Sequence, residues 1–260
     1  METIRPKLIL LPTDFSPTAA HALRYAAALG GRFGAHLLVI YADTFVPPVD
    51  YTISAAGVFD LPREELIDVA REELQTFVET NVGTAIPYDV RVVVGTPINA
   101  ILGQVSESGA NLIVMGTHGR TGLRRLLFGS VTEAVMRLAT VPVIAVNESA
   151  PETPEIEVIL RSDRSTPESR AAIGYAGVLA DRARFVDIAE TDDPIERARR
   201  EGADMIALGV TDERSLADAL RGTAVERIVQ HSLCPVLTVN HFAASRARRE
   251  KRSYELASPA

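Results

Sequence analysis

Gly116-Thr117-His118-Gly119, nine further residues, then Gly129-Ser130: this stretch decides how the chain is read. Leu112-Ile113-Val114-Met115 stands before it as a short apolar strand. Ser130 to Ala139 follows it with Val131, Ala134, Val135 and Leu138 at helical spacing. A strand that runs into a glycine turn and opens onto a helix is a natural cradle for phosphate. Glycine lets the backbone approach a ligand closely, and a helix N-terminus offers unpaired N–H groups and partial positive charge. The stretch occurs twice: Gly209-Val210-Thr211-Asp212, nine residues, then Gly222-Thr223 lies 93 residues further on. The second copy has Asp212 where the first has Gly119, and a carboxylate within about 4–6 Å of phosphates is unfavourable. The pair therefore predicts one phosphate turn and one altered echo. Ser130-Val131-Thr132-Glu133 and Thr223-Ala224-Val225-Glu226 also read as capping boxes. Ser130 and Thr223 are thus explained by helix capping, and the weight falls on Gly116 and Gly119.

Outward from this turn, strands and helices alternate. Leu8 to Leu11, Leu37 to Tyr41, Val90 to Val94, Leu112 to Met115 and Val143 to Val146 are predicted strands. Ser16-Pro17 starts a helix with serine as cap and proline at the first helical position, and Leu29-Gly30-Gly31 predicts its stop. Arg63 to about Thr80 and Pro97 to Ser108 are further helices, the first preceded by a loop from Asp43 to about Leu61. This alternation predicts an α/β fold with a mainly parallel sheet flanked by helices. In such sheets ligands sit at the carboxyl ends of the strands, near the point where strand order reverses. Asp14, Tyr41 and the Met115–Gly119 turn all fall at predicted strand ends.

The first half repeats in the second. At an offset of 150, Leu8-Ile9-Leu10 meets Val158-Ile159-Leu160, Pro17 meets Pro167 and Tyr25 meets Tyr175. At an offset of 93, Gly109 meets Gly202, Glu133 meets Glu226 and Pro142 meets Pro235. The two offsets differ by 57 residues, so the second unit lacks about one strand, one helix and a long loop. A single strand-like run, Phe185 to Ile188, stands where the first unit has two. The predicted organisation is two tandem open sheets, of five and four strands. Their limits are residues 1–147, a proline-containing linker at 148–155, a shortened unit at 156–240, and a basic C-terminal tail at 241–260. Arg246, Arg248, Arg249, Lys251 and Arg252 make that tail basic, and it reads as a solvated chain end.

Composition excludes several classes. A formal net charge of −7 disfavours nucleic acid as a partner of the whole chain. No apolar run reaches the roughly 18–20 residues that span a bilayer, which argues against a membrane partner. The N-terminus lacks the pattern of a signal peptide, so a cytoplasmic location is expected. Cys234 is the only cysteine and leaves no internal disulfide. It aligns with Val141, before a strand proline, and reads as a small core residue. His21, His36, His231 and His241 have no metal-ligand spacing. No P-loop motif and no strand-linked G-x-G-x-x-G occurs.

With these residues in view, the chain resembles the universal stress protein family. Gly116, Gly119, Gly129 and Ser130 complete the G-x2-G-x9-G-[ST] pattern of its ATP-binding branch. Leu11-Pro12-Thr13-Asp14-Phe15-Ser16 looks like the family's first strand and loop, and Val141-Pro142-Val143-Ile144-Ala145-Val146 like its last strand. The resemblance covers residues 5–147 strongly and 156–240 more weakly. It implies a Rossmann-like fold of the adenine nucleotide alpha hydrolase type, with ATP in the first unit. Pro12, Thr13 and Asp14 would lie by adenine and ribose. Tyr41 stands where the family has a small aliphatic residue whose backbone meets adenine. Met115 and Gly116 would lie along the ribose. Gly119, Gly129, Ser130 and Val131 would hold phosphates, with His118 positioned in the turn and Arg120 in the flap beyond it. Mg2+ or Mn2+, where present, would be held through the phosphates. The family also pairs its domains through the last strand, so Val143–Val146 and Val236–Val239 could pair within one chain, and two chains could then form a homodimer.

The expected function is ATP binding in a stress-response regulatory protein, with the second unit as a degenerate pseudo-dimer partner. His118 and Asp14 invite an enzyme reading, yet no group that would orient a nucleophile is visible, so catalysis amounts at most to weak ATP hydrolysis. Two readings stay open beside it: a slow ATPase or phosphotransferase using Asp14 or His118, and a nucleotide-independent scaffold working through sheet edges.

Overall fold

The computed structural model describes residues 5–44, 63–83, 86–117, 129–162, 165–180, 182–189, 192–210 and 224–257. His118, Gly119 and Arg120, with Asp212 and Thr223, lie outside the described residues. The first half runs β1 (Leu8–Thr13), α1 (Pro17–Phe33), β2 (His36–Asp43), α2 (Arg63–Val82), β3 (Tyr88–Val94), α3 (Pro97–Ser108), β4 (Leu112–Gly116), α4 (Ser130–Leu138) and β5 (Val143–Val146). The second half runs β6 (Val158–Arg161), α5 (Pro167–Leu179), β7 (Arg184–Asp187), α6 (Pro194–Glu201), β8 (Met205–Val210), α7 (Ala224–His231), β9 (Val236–Asn240) and α8 (His241–Ala257).

The strands form one sheet of nine in the order β3-β2-β1-β4-β5-β9-β8-β6-β7. The five strands of the first half and the four of the second meet edge to edge, through antiparallel pairing of β5 with β9. The other neighbouring pairs are parallel. Side chains alternate between two apolar layers, as strand geometry requires. Ile9 and Leu11 of β1 face Leu23 of α1 and Leu74 of α2, in a layer that also holds Ala172 of α5 and Ala243 of α8. Leu10 faces the opposite layer, with Ile101 of α3, Val135 of α4 and Val229 of α7. Burial on both faces is why these strands read as unbroken apolar runs.

Two expectations need correction. Helix α1 does not stop at Gly30-Gly31 but continues to Phe33, with Gly34 in the left-handed conformation as its cap (φ 66°). Gly30 is there for close packing: a Cβ on it would stand 2.1 Å from Ile86 Cδ1. The C-terminal segment is not a loose tail. It is helical from His241, its first turn is capped by Asn240 Oδ1 accepting from Ala243 N–H at 2.9 Å, and Ala243 and Ala244 are buried. The segment between the halves is strapped to α1. His21 Nε2 donates to the Ala150 carbonyl (2.7 Å), Arg24 Nε to Glu152 (2.8 Å) and Arg32 to the Pro154 carbonyl (2.9 Å).

In the register of the first half Leu11 lies opposite Val39; the matching pair in the second is Arg161 and Asp187, a two-point ion pair at 2.6 and 3.1 Å. The Arg161 guanidinium lies over the Phe185 ring, 5.3 Å from its centre. Where the second half lacks a counterpart of α2, an amphipathic side chain covers the sheet in place of a helix.

Candidate functional site

Two turns build the site. At the end of β1, Thr13 Oγ1 accepts from Phe15 N–H (3.0 Å), Asp14 Oδ1 from Ser16 N–H (3.1 Å), and Ser16 Oγ from Ala19 N–H (3.1 Å) as the cap of α1. Among the described residues Phe15 is the one non-glycine with positive φ, at 63°. That conformation costs a residue with Cβ roughly 1–2 kcal/mol. Ring packing against Tyr41, 4.8 Å between centres, and Phe77, 5.5 Å and perpendicular, holds it in place. The turn sets Asp14 at the rim of the cleft.

At the end of β4 the glycine turn is pinned at both ends. Thr117 N–H donates to the Val146 carbonyl (3.2 Å), and Gly129 N–H returns to the Thr117 carbonyl (3.1 Å). Thr132 Oγ1 donates to the Gly116 carbonyl at 3.0 Å. The chain thus leaves and re-enters the fold at one point. Gly116 marks a close approach, since a Cβ there would meet Thr18 Cγ2 at 3.1 Å and the Thr18 carbonyl at 3.2 Å. The capping box expected at Ser130 is not formed. Gly129, in extended conformation, is the cap residue of α4, and among the described residues no side-chain hydrogen bond caps the helix. Ser130 is the first helical residue and lines the cleft. Its hydroxyl is therefore not accounted for by capping.

Between these turns lies a cleft of about 290 Å3 at the carboxyl ends of β1, β2 and β4. The chain order reverses there, between β1 and β4, which is where open α/β sheets take ligands. Pro12, Thr13, Asp14, Tyr41, Met115, Gly116, Gly129, Ser130 and Val131 all line it. Six residues that sequence reasoning did not single out complete the wall: Ala19, Ile40, Ala42, Pro97, Ile101 and Thr132. Alternation along β2 could have found Ile40 and Ala42, since they flank Tyr41 and point to the opposite face. The Tyr41 ring packs in the α1–α2 layer and its hydroxyl donates to Asp43 Oδ2 at 2.8 Å. Its bulk therefore leaves the cleft, and what Tyr41 brings to it is main chain. An apolar cavity with a few convergent polar groups suits a ligand with a flat apolar part and a polar end.

At the corresponding place in the second half, the first turn of α5 comes close to β8. A Cβ on Gly209 would stand 2.4 Å from Ser169 N and 2.6 Å from Ser169 Oγ. Ser169 aligns with Ala19, and Ser162 with Pro12. Thr166 Oγ1 donates to Ser169 Oγ (2.9 Å), Ser162 Oγ to Ser169 Oγ (3.2 Å), and Gly209 N–H to Ser162 Oγ (3.4 Å). Hydroxyl side chains thus stand where the first half has Pro12 and Ala19.

Other chemistry is sparse among the described residues. No group of three or more His, Cys, Asp or Glu side chains is placed to hold a metal ion. No helix is long and apolar enough to cross a membrane. Cys234 is buried, and burial pushes its thiol up to about 11, against a smaller opposing effect of the Ser232 hydrogen bond. It is packing, as its alignment with Val141 predicts.

Comparison with known proteins bears on the whole chain. Universal stress protein MJ0531 of Methanocaldococcus jannaschii is 33% identical over 146 residues, covering 56% of this chain and 85% of that protein. The crystal structure of a universal stress protein from Archaeoglobus fulgidus matches 90% of this chain and 98% of its own, with a TM-score of 0.66 at 17% identity, which speaks to the fold. A universal stress protein in complex with cAMP covers 55% of this chain at 22% identity, with a TM-score of 0.39. The model of the Universal stress protein family matches residues 6–147 and again 158–240. With a repeated match over most of its length, the chain belongs to the universal stress protein family.

Proposed function

We propose that the first half binds ATP in the cleft at the ends of β1, β2 and β4, and that the second half binds none and serves as its structural partner. One observation carries this reading: Pro12 and Ala19 line the cleft at Gly116, whereas hydrogen-bonded Ser162 and Ser169 stand at the equivalent positions, with Ser169 pressed close to Gly209. The apolar wall of Ile40, Ala42, Pro97 and Ile101 suits a base, with Tyr41 contributing main chain. Asp14 at the rim suits ribose hydroxyls. Gly129, Ser130 and Val131 open a helix whose unpaired N–H groups suit phosphates, with His118, Gly119 and Arg120 completing the turn. Mg2+ or Mn2+ would arrive on the phosphates, since the described side chains offer no cage of their own. Residues 1–147 and 156–240 are then an ATP-binding and a degenerate unit of one cytoplasmic regulatory protein in the stress response.

Calorimetric titration with ATP and Mg2+ tests it, with cAMP as a competing ligand. About one ATP per chain is expected, and Gly119→Asp should abolish binding. Two equivalent sites per chain would refute the asymmetry. Absence of binding, with no nucleotide released from freshly purified and denatured protein, would refute the site itself.

A further inference from the structure

The two halves join through strands whose own sequence says little about their alignment. β5 is Val-Ile-Ala-Val and β9 begins Val-Leu-Thr-Val, and both are buried throughout. In a half-exposed strand a slip of one residue turns the apolar face to water, and that cost fixes the register. Here a slip sets apolar against apolar except at Thr238, whose Oγ1 donates to the Val143 carbonyl at 3.3 Å. Yet one register is adopted: Val143 opposite Thr238, Ile144 opposite Leu237, Ala145 opposite Val236.

Each strand leads to an asparagine, Asn147 in the first half and Asn240 in the second, 93 residues apart and equivalent in the repeat. They are 7% and 4% exposed. Asn240 Nδ2 donates to the Met136 carbonyl in α4, in the other half, at 3.0 Å. Asn147 Nδ2 donates to the Ser232 carbonyl just beyond α7, again in the other half. Each Oδ1 accepts locally, from Ser149 N–H and Ala243 N–H, both at 2.9 Å. The amide orientations follow from these partners, because only the oxygen can accept and only the nitrogen can donate.

We infer that Asn147 and Asn240 set the register of the interface between the halves. A slip of two residues keeps every side chain on its face but carries each amide about 6.8 Å along its partner. Both donors then lose their acceptors inside a buried seam. An unpaired buried amide lowers an equilibrium by about tenfold to a hundredfold, and the slip strands two. A single buried asparagine fixes register in coiled coils by the same logic. The inference stands on the strand junction and does not depend on nucleotide binding.

Disulfide trapping reads the register directly. A chain carrying Val143→Cys and Thr238→Cys should close an intrachain bond under mild oxidation, since these positions face each other. Adding Asn147→Leu and Asn240→Leu should cut that yield at least severalfold. Cross-links of the displaced pair, Val143→Cys with Val236→Cys, should then appear. Peptide mapping separates these products from any bond to Cys234. Retention of the native cross-link at its parent yield overturns the inference. Should the double leucine variant fail to fold, Asn240→Leu alone is measured in the same way, and a parent-like yield there overturns it equally.

Discussion

Gly209→Ala should destabilise the protein more than Gly116→Ala, although the two glycines occupy equivalent places in the repeat. The added Cβ at Gly209 would lie 2.4 Å from Ser169 N and 2.8 Å from the Glu168 carbonyl carbon, where ordinary contact begins at 3.4 Å. Relief needs the first turn of α5 to retreat by about 1 Å, and Thr166 holds that turn by capping Ser169 N–H at 3.1 Å. At Gly116 the closest atoms are at 3.1 and 3.2 Å, so a few tenths of an ångström suffice. Overpacking of the first kind costs about 1–3 kcal/mol. The stiffer unfolded chain returns about 0.4–1 kcal/mol in both variants. The net expectation is a loss of about 1–2 kcal/mol for Gly209→Ala and near zero for Gly116→Ala. In a chain of this size each kcal/mol moves the melting temperature by about 2–4 °C. Urea denaturation and thermal melting of the two variants side by side measure it. ATP titration should show the reverse order, with Gly116→Ala weakening binding and Gly209→Ala leaving it intact. A Gly116→Ala loss equal to or larger than that of Gly209→Ala would refute the reasoning, because the tighter packing of the second half would then have no energetic consequence.

Thr132→Val keeps shape but removes the donor to the Gly116 carbonyl; a loss of about 1–2 kcal/mol in urea denaturation is expected, with weaker ATP binding by calorimetry. The Cys234 thiol holds its proton to about pH 11 in the folded chain, against 9.0 for the ordinary group. Its contribution to stability is therefore full below pH 9 and falls away as pH rises through 11, and an aromatic disulfide reagent at pH 8 should label it only on unfolding. The Tyr25 hydroxyl is buried without a hydrogen-bond partner among the described residues; Tyr25→Phe should melt at the same temperature as the parent or slightly higher, and a clear fall would reveal a partner for that hydroxyl.

Much of the fold was legible because burial on both faces writes each strand as an unbroken apolar run, and because the chain states its plan twice. The cleft was legible where backbone does the work: glycine and strand-end positions such as Gly116, Gly129 and Asp14 are marked by residue type. Its side walls were not, since Ile40, Ala42 and Ile101 look like any core residue until alternation and the placement of α3 set them around one cavity. Ser130 was misread for a related reason. A serine three residues before Glu133 matches a capping box, but which residue becomes the cap depends on where the chain re-enters from the glycine turn, and the bond from Gly129 to Thr117 decides that.

Local chemistry therefore fixed the α/β class, the repeat, the shortened second half and the glycine turn, because each depends on contacts between near neighbours or on periodicity. Tertiary structure alone decided the register in which β5 meets β9, that Tyr41 turns its ring away from the cleft, and that Ser169 presses on Gly209 where Ala19 lines the cleft in the first half. Each of these outcomes rests on distances of a few ångströms between residues far apart in sequence. Neither residue type nor spacing records such distances.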